Sequence, residues 1–175
     1  MCQDIITNIF SKNIVIEKGL YLVATPIGNI NDITIRAIKI LYSSDTIVCE
    51  DTRVSKKLFS HLGLPTTKKS WLIYNDHSSD KDIVKILNEL DKDKVISLIS
   101  DAGTPLISDP GYKLLKRIRQ TRHSVFSLPG PCSAIASLIV SGLKTDKFCF
   151  LGFLPKNKND YIGTLRDYTK LNYSL

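Results

Sequence analysis

Short unbroken apolar runs alternate along the chain with stretches whose apolar positions recur at helical spacing. Leu20-Tyr21-Leu22-Val23-Ala24 is one such run; Thr25-Pro26-Ile27-Gly28-Asn29 follows, and then Ile33, Ala37, Ile40 and Leu41. A run without polar alternation predicts a strand covered on both faces, and recurrence every three or four residues predicts the inward face of a helix. Asn31 or Asp32 can cap that helix. The same order repeats with a strand at 46–49, the turn Glu50-Asp51-Thr52-Arg53, and a helix through Val54, Leu58 and Leu62 that Gly63 ends. Trp71-Leu72-Ile73-Tyr74 reads as a short strand. Ile83, Ile86, Leu87 and Leu90 form the inward side of a helix capped by Ser79 or Asp80, and residues 95–99 a buried strand. Leu114, Leu115 and Ile118 mark another helix, residues 124–128 a strand, and residues 133–140 a helix. A last helix is expected between Asn159 and Leu171.

Strand, loop and helix alternating in this way imply right-handed crossovers and therefore an α/β fold with a parallel sheet. The expected division is an unassigned leader over residues 1–18, an α/β domain over 19–143, and the start of a second α/β domain over 144–175. In a parallel sheet the loops after Ala24, Cys49, Ile99 and Leu128 leave the same ends of their strands, so they gather along one edge, where open α/β sheets bind ligands. Pro26, Pro105, Pro110, Pro129 and Pro131 lie in or beside these loops, and each fixes its φ. Stiff loops on a binding edge predict a pocket.

Composition narrows the classes. The chain has 175 residues, 43% hydrophobic and 23% charged, which suits one globular domain or a domain with a further piece and excludes a disordered or fibrous chain. Its 24 Lys and Arg against 17 Asp and Glu give a net charge of +7. That surplus favours a polyanionic partner such as nucleic acid. Cys2, Cys49, Cys132 and Cys149 show no C-x-x-C spacing and no histidine at zinc-finger distance, and the three histidines share no metal-like spacing. Scattered cysteines argue against a disulfide framework and for a reducing cytoplasm. No apolar run approaches the ~18 residues that span a bilayer, so no membrane association is expected.

The loops carry the candidate chemistry. Ala24–Asn29 is neither G-x-G-x-x-G nor a P-loop, and a tight strand-to-helix turn explains it as well as a ligand does. In Ser100–Gly111 the glycines Gly103 and Gly111 permit close backbone approach or positive φ while Pro105 and Pro110 stiffen the path. Exposed amides and carbonyls there could read an adenine or an amino-acid moiety. Glu50-Asp51-Thr52-Arg53 is either a solvated polar turn or a site in which Asp51 is a general base or substrate anchor and Arg53 holds a phosphate. Asp101 and Asp109 suit helix caps as well as ligands.

LYLVATPIGNINDITIRA, CEDTRVSKKL, ISDAGTPLISDPGYKL, LPGPCSAIASLIVSGL and FLGFLPKNK occur in this order between Gly19 and Lys158. Together they closely resemble the tetrapyrrole methylase family, and the ATPIGN version of the first loop resembles its ribosomal-RNA branch. The resemblance implies S-adenosylmethionine as cofactor in a cleft between two α/β domains. It implies as substrate a cytidine of 16S rRNA in the small ribosomal subunit, methylated on its ribose 2′-oxygen, and as a further partner a second copy, since members often form homodimers. Ala102, Gly103, Thr104 and Ile107 match the loop that wraps the cofactor, and Cys132 and Ser133 match the second cofactor-contacting turn. Asp51 matches a carboxylate suspected as a base in some relatives, with Arg53 beside it. Relatives continue through most of a second domain, so this chain is expected to hold only its beginning. Two other readings follow: a non-catalytic remnant or one half of a split enzyme, and a small-molecule tetrapyrrole methylase.

Overall fold

A computed structural model of the protein describes residues 15–169 and residue 174. The leader expected over residues 1–18 falls largely outside the described residues. The chain divides into two compact units, the first ending at Pro131 and the second beginning at Cys132.

The first unit is built on five strands, β1 (Gly19–Val23), β2 (Thr46–Cys49), β3 (Ser70–Ile73), β4 (Val95–Ile99) and β5 (Val125–Leu128). They form one sheet in the order β3-β2-β4-β1-β5, and every pairing is parallel. Between them lie α1 (Ile35–Ser43), α2 (Thr52–His61), α3 (Asp80–Leu90) and α4 (Tyr112–Ile118), with a short 3₁₀ turn at Ile30–Asp32.

Side chains alternate across the sheet and so build two cores. Tyr21, Val23, Ile47, Cys49 and Ile99 pack against Ala37, Ile40, Leu41 and Phe59 of α1 and α2. Leu20, Val48, Ile96 and Leu98 pack against Ile83, Ile86, Leu90, Leu114 and Ile118 of α3 and α4. Ser97 points into the first core, where its hydroxyl meets that of Ser44 at 2.6 Å; the pairing relieves the cost of burying two hydroxyls. The helices thus cover both faces, which is why β1, β2 and β4 read as continuous apolar runs.

Three local expectations shift. Thr34, not Asn31 or Asp32, caps α1 by accepting from the Ala37 amide at 3.1 Å; Asn29 caps the 3₁₀ turn that intervenes. Helix α2 buries Ser55 and Phe59 and leaves Val54 exposed, because Phe59 packs edge-on against Trp71 of β3 and sets the helix rotation. Strand β3 begins at Ser70, one residue early, leaving Tyr74 to enter the α3–α4 core. Ser79 caps α3 in a reciprocal box with Asp82, as its position suggested.

The second unit holds α5 (Ser133–Val140) and α6 (Lys158–Tyr168), neither of which buries a residue. Ser174 pairs with the segment around Phe148, its amide donating to the Lys147 carbonyl and its carbonyl accepting from the Cys149 amide. No helix among the described residues is long and apolar enough to cross a membrane.

Candidate functional site

Register fixes the height at which each loop begins. Val23 lies opposite both Ile99 and Leu128, and Cys49 lies opposite both Ile99 and Ile73. All five strands therefore end on one line, and the loops that follow them start side by side at the carboxyl edge.

These loops are bonded to one another. Beyond β1, Thr25 and Gly103 exchange both backbone bonds, Thr25 N to Gly103 O at 2.8 Å and Gly103 N to Thr25 O at 3.1 Å. The fully buried Thr25 also donates its hydroxyl to the Ser100 carbonyl at 3.2 Å. Ser100 donates in turn to the carbonyl of Gly103 at 3.1 Å. The Thr104 hydroxyl donates to the Pro131 carbonyl at 2.9 Å and ties the loop after β4 to the loop after β5. Gly130 completes the ring, because a Cβ placed on it would lie 2.8 Å from the Ala24 methyl. The loop after β2 joins through Glu50, whose carboxylate accepts from the Asp101 amide at 3.4 Å.

The path of the β4 loop is set by positive φ at Gly103, Leu106, Ser108 and Gly111. Leu106 and Ser108 hold a conformation that costs roughly 1–2 kcal/mol per non-glycine residue, so the surrounding bonds must impose it. The polar groups of Gly103 are used within the fold. The amides of Ala102 and Thr104 meet no protein acceptor among the described residues, and Ile27 and Ile107 expose apolar side chains, Ile107 at 47%. Unused amides next to exposed aliphatic side chains suit a ligand with a flat, hydrogen-bonding ring.

The sequence-selected residues distribute as follows. Ala102, Gly103, Thr104 and Ile107 lie together in the β4 loop. Asp51 is the N-cap of α2, accepting from the Arg53 amide at 2.7 Å. The exposed Arg53 guanidinium folds back on the same carboxylate, with Nη2 to Oδ2 at 2.6 Å. These bonds hold the Asp51 carboxyl at about 2, far below its usual range. Cys132 and Ser133 open the second unit, as N-cap and first residue of α5.

Sequence reasoning named Thr25, Ile27 and Glu50 only as members of loop motifs and gave none of them a role of its own. Ile27 stood within the ATPIGN motif, where an exposed isoleucine in a polar turn was the available signal. Burial raises the pKa of Glu50, with further upward pushes from Asp109, Asp101 and Asp76. Burial likewise raises Asp101, against a hydrogen bond from the Asp51 amide that lowers it, and raises Asp109, with Asp101 and Asp76 adding to it against a Ser100 hydrogen bond. The carboxyl edge therefore holds carboxylates of two kinds, one pinned as an anion and three with increased proton affinity.

Comparison with known proteins identifies relatives of the chain. Residues 19–160 match the family model of Tetrapyrrole (Corrin/Porphyrin) Methylases. "Ribosomal RNA small subunit methyltransferase I" of Rickettsia prowazekii is 51% identical over 142 residues, covering 81% of this chain and 50% of the relative. The proteins of that name from Pasteurella multocida and Escherichia coli O157:H7 are 48% and 45% identical, with 47% and 48% of their lengths covered. The chain spans about half the length of the curated relatives it matches. Among solved structures, a cobalamin biosynthetic cobalt precorrin-4 methyltransferase aligns with a TM-score of 0.55 at 17% identity, over 75% of this chain and 54% of the other. Uroporphyrin III C-methyltransferase from Thermus thermophilus aligns at 0.51 and 20%, over 67% and 51%. Both share the fold.

Proposed function

Because the chain belongs to the tetrapyrrole (corrin/porphyrin) methylase family, we propose that it takes part in methyl transfer from S-adenosylmethionine to the ribose 2′-oxygen of a cytidine in 16S rRNA of the small ribosomal subunit. The carrying observation is the bonded ring of loops at the carboxyl edge, which occurs in a sequence about half identical to proteins named for rRNA methylation. The +7 charge agrees with an RNA substrate, and a reducing cytoplasm agrees with the free thiols Cys49, Cys132 and Cys149.

The cofactor supplies an activated methyl group on a positively charged sulfur. The β4 loop fits such a molecule: the amides of Ala102 and Thr104 are free to donate, the positive φ of Gly103 shapes the turn between them, and Ile107 offers an apolar surface. Cys132 and Ser133 are carried over as cofactor contacts from the family's pattern. Bound there, the cofactor would offer its methyl carbon to the ribose oxygen with the sulfur as leaving group, and the hydroxyl proton would have to leave. The protein has to align the two atoms and receive that proton. Asp51, with its pKa near 2, is a weak proton acceptor and better suited to anchoring the substrate with Arg53. Glu50, whose proton affinity is raised by burial and neighbouring carboxylates, suits the acceptor role.

The test incubates the chain with methyl-labelled S-adenosylmethionine and small ribosomal subunits that lack the modification, followed by nuclease digestion and mass spectrometry. The expected product is 2′-O-methylcytidine at one position. Label on a base, or calorimetry showing no cofactor binding, refutes the assignment.

A further inference from the structure

We propose that the cavity between α3 and α4 is an electrostatic groove for the sugar–phosphate strand of RNA; this rests on the rRNA reading above and gives the substrate a second surface outside the ring of loops. The cavity, of about 370 Å³, is walled by Lys113, Lys116 and Arg117 of α4 and by Gln120 of the turn after it, and is floored by Ile83 and Val84 of α3, with one carboxylate, Asp80 of α3, also in its lining. The three α4 cations stand at i, i+3 and i+4, so they share one helix face. A smaller cavity of about 260 Å³, lined by Tyr74, Asp76, Asp109 and Tyr112, lies between the loops after β3 and β4 and also has Lys113 on its wall. Lys113 thus lines both cavities.

Charge is concentrated here. Residues 110–143 contain Lys113, Lys116, Arg117, Arg119 and Arg122 and no carboxylate, so the rest of the chain carries 19 basic against 17 acidic side chains. Most of the +7 thus lies on α4 and the turn after it. Three neighbouring cations of α3 and its following turn are neutralised locally: Lys85 pairs with Asp82, and Lys92 and Lys94 pair with Glu89. None of the five cations around α4 forms an ion pair among the described residues. That arrangement disfavours the helix, because Lys113 repels Lys116 and Arg117 and sits at the positive end of the helix dipole. A bound polyanion relieves both effects. An extended phosphate strand matches a row of cations over a concave floor, and its binding releases counterions.

The experiment measures anisotropy of a fluorescent RNA hairpin bound by the full chain between about 50 and about 200 mM KCl. In K116A/R117A the slope of log affinity against log salt should flatten by about 1.5, the share of two phosphate contacts. K116R/R117K should keep the slope of the parent, and R36A/K57A, on α1 and α2 across the sheet, should leave it unchanged. Equal slopes for parent and K116A/R117A, or equal flattening in R36A/K57A, overturn the proposal, as does polyglutamate competing as well as RNA at matched charge. Cofactor binding without RNA binding would overturn the groove while leaving a methylase; RNA binding with the expected slopes but no methyl transfer would sustain the groove and sink the rRNA methylation reading.

Discussion

Gly130→Ala is the most direct probe of the loop ring. The backbone of Gly130 does not require positive φ, so the substitution adds a methyl group and little else. That methyl would stand 2.8 Å from the Ala24 Cβ and 3.7 Å from its carbonyl oxygen. Carbon atoms in good contact sit about 3.5–4.0 Å apart, which leaves a shortfall of about 1 Å. Ala24 is almost fully buried and has no side-chain torsion with which to yield, so the loops after β1 and β5 must separate. Overpacking of this kind costs about 1–3 kcal/mol; at 2 kcal/mol the melting temperature falls by about 4–8 °C for a chain of this size. Urea titration gives the energy, and calorimetry should show weakened S-adenosylmethionine binding. The double variant A24G/G130A removes the opposing methyl and should recover most of the loss, giving a coupling of about 1–2 kcal/mol between the positions. Strict additivity of the two single variants, or an unchanged G130A, would refute the claim that these loops abut.

Two titrating groups give predictions of opposite sign. The folded-state pKa of Glu50 is raised above its ordinary 4.5, so its ionisation opposes folding as pH rises from that value. Glu50→Gln should therefore stabilise the protein at pH 7, as read by urea titration, with the gain vanishing below about pH 4.5; in the methylation assay the same variant should lose turnover. Glu89 is held at about 2 by Lys92, Lys94 and the Thr46 hydroxyl, so its contribution is complete above 4.5 and lost as pH falls through 2. Glu89→Gln should cost about 1–2 kcal/mol at neutral pH and match the parent in the same titration near pH 2.

Much of the architecture was legible because its signals are local. Unbroken runs such as VISLI marked strands sheltered on both faces, and the inward residues of α1 and α3 followed helical spacing. Where tertiary contacts decided, the reading slipped. The rotation of α2 depends on Phe59 meeting Trp71, a pair 12 positions apart on different elements. The loop sequences pointed to the right edge of the sheet, yet the bonds that shape it, Thr25 with Gly103 and Thr104 with Pro131, join segments far apart in the chain. Asp51 marks a different limit: residue type made it a candidate, whereas the rotamers that bring its capping bond and the Arg53 guanidinium onto one carboxylate decide how strongly it holds a proton.

The sheet order carries a consequence for biosynthesis. Of the five strands described, β1 is made first, yet among the described residues it pairs only with β4 and β5. At translation rates of about 5–20 residues per second, the roughly 75 residues between β1 and β4 keep Gly19–Val23 waiting for about 4–15 s without a partner edge. During that interval an apolar, β-prone pentapeptide is available to chaperones and to other nascent chains, which makes the opening strand the segment of this protein most exposed to misassembly.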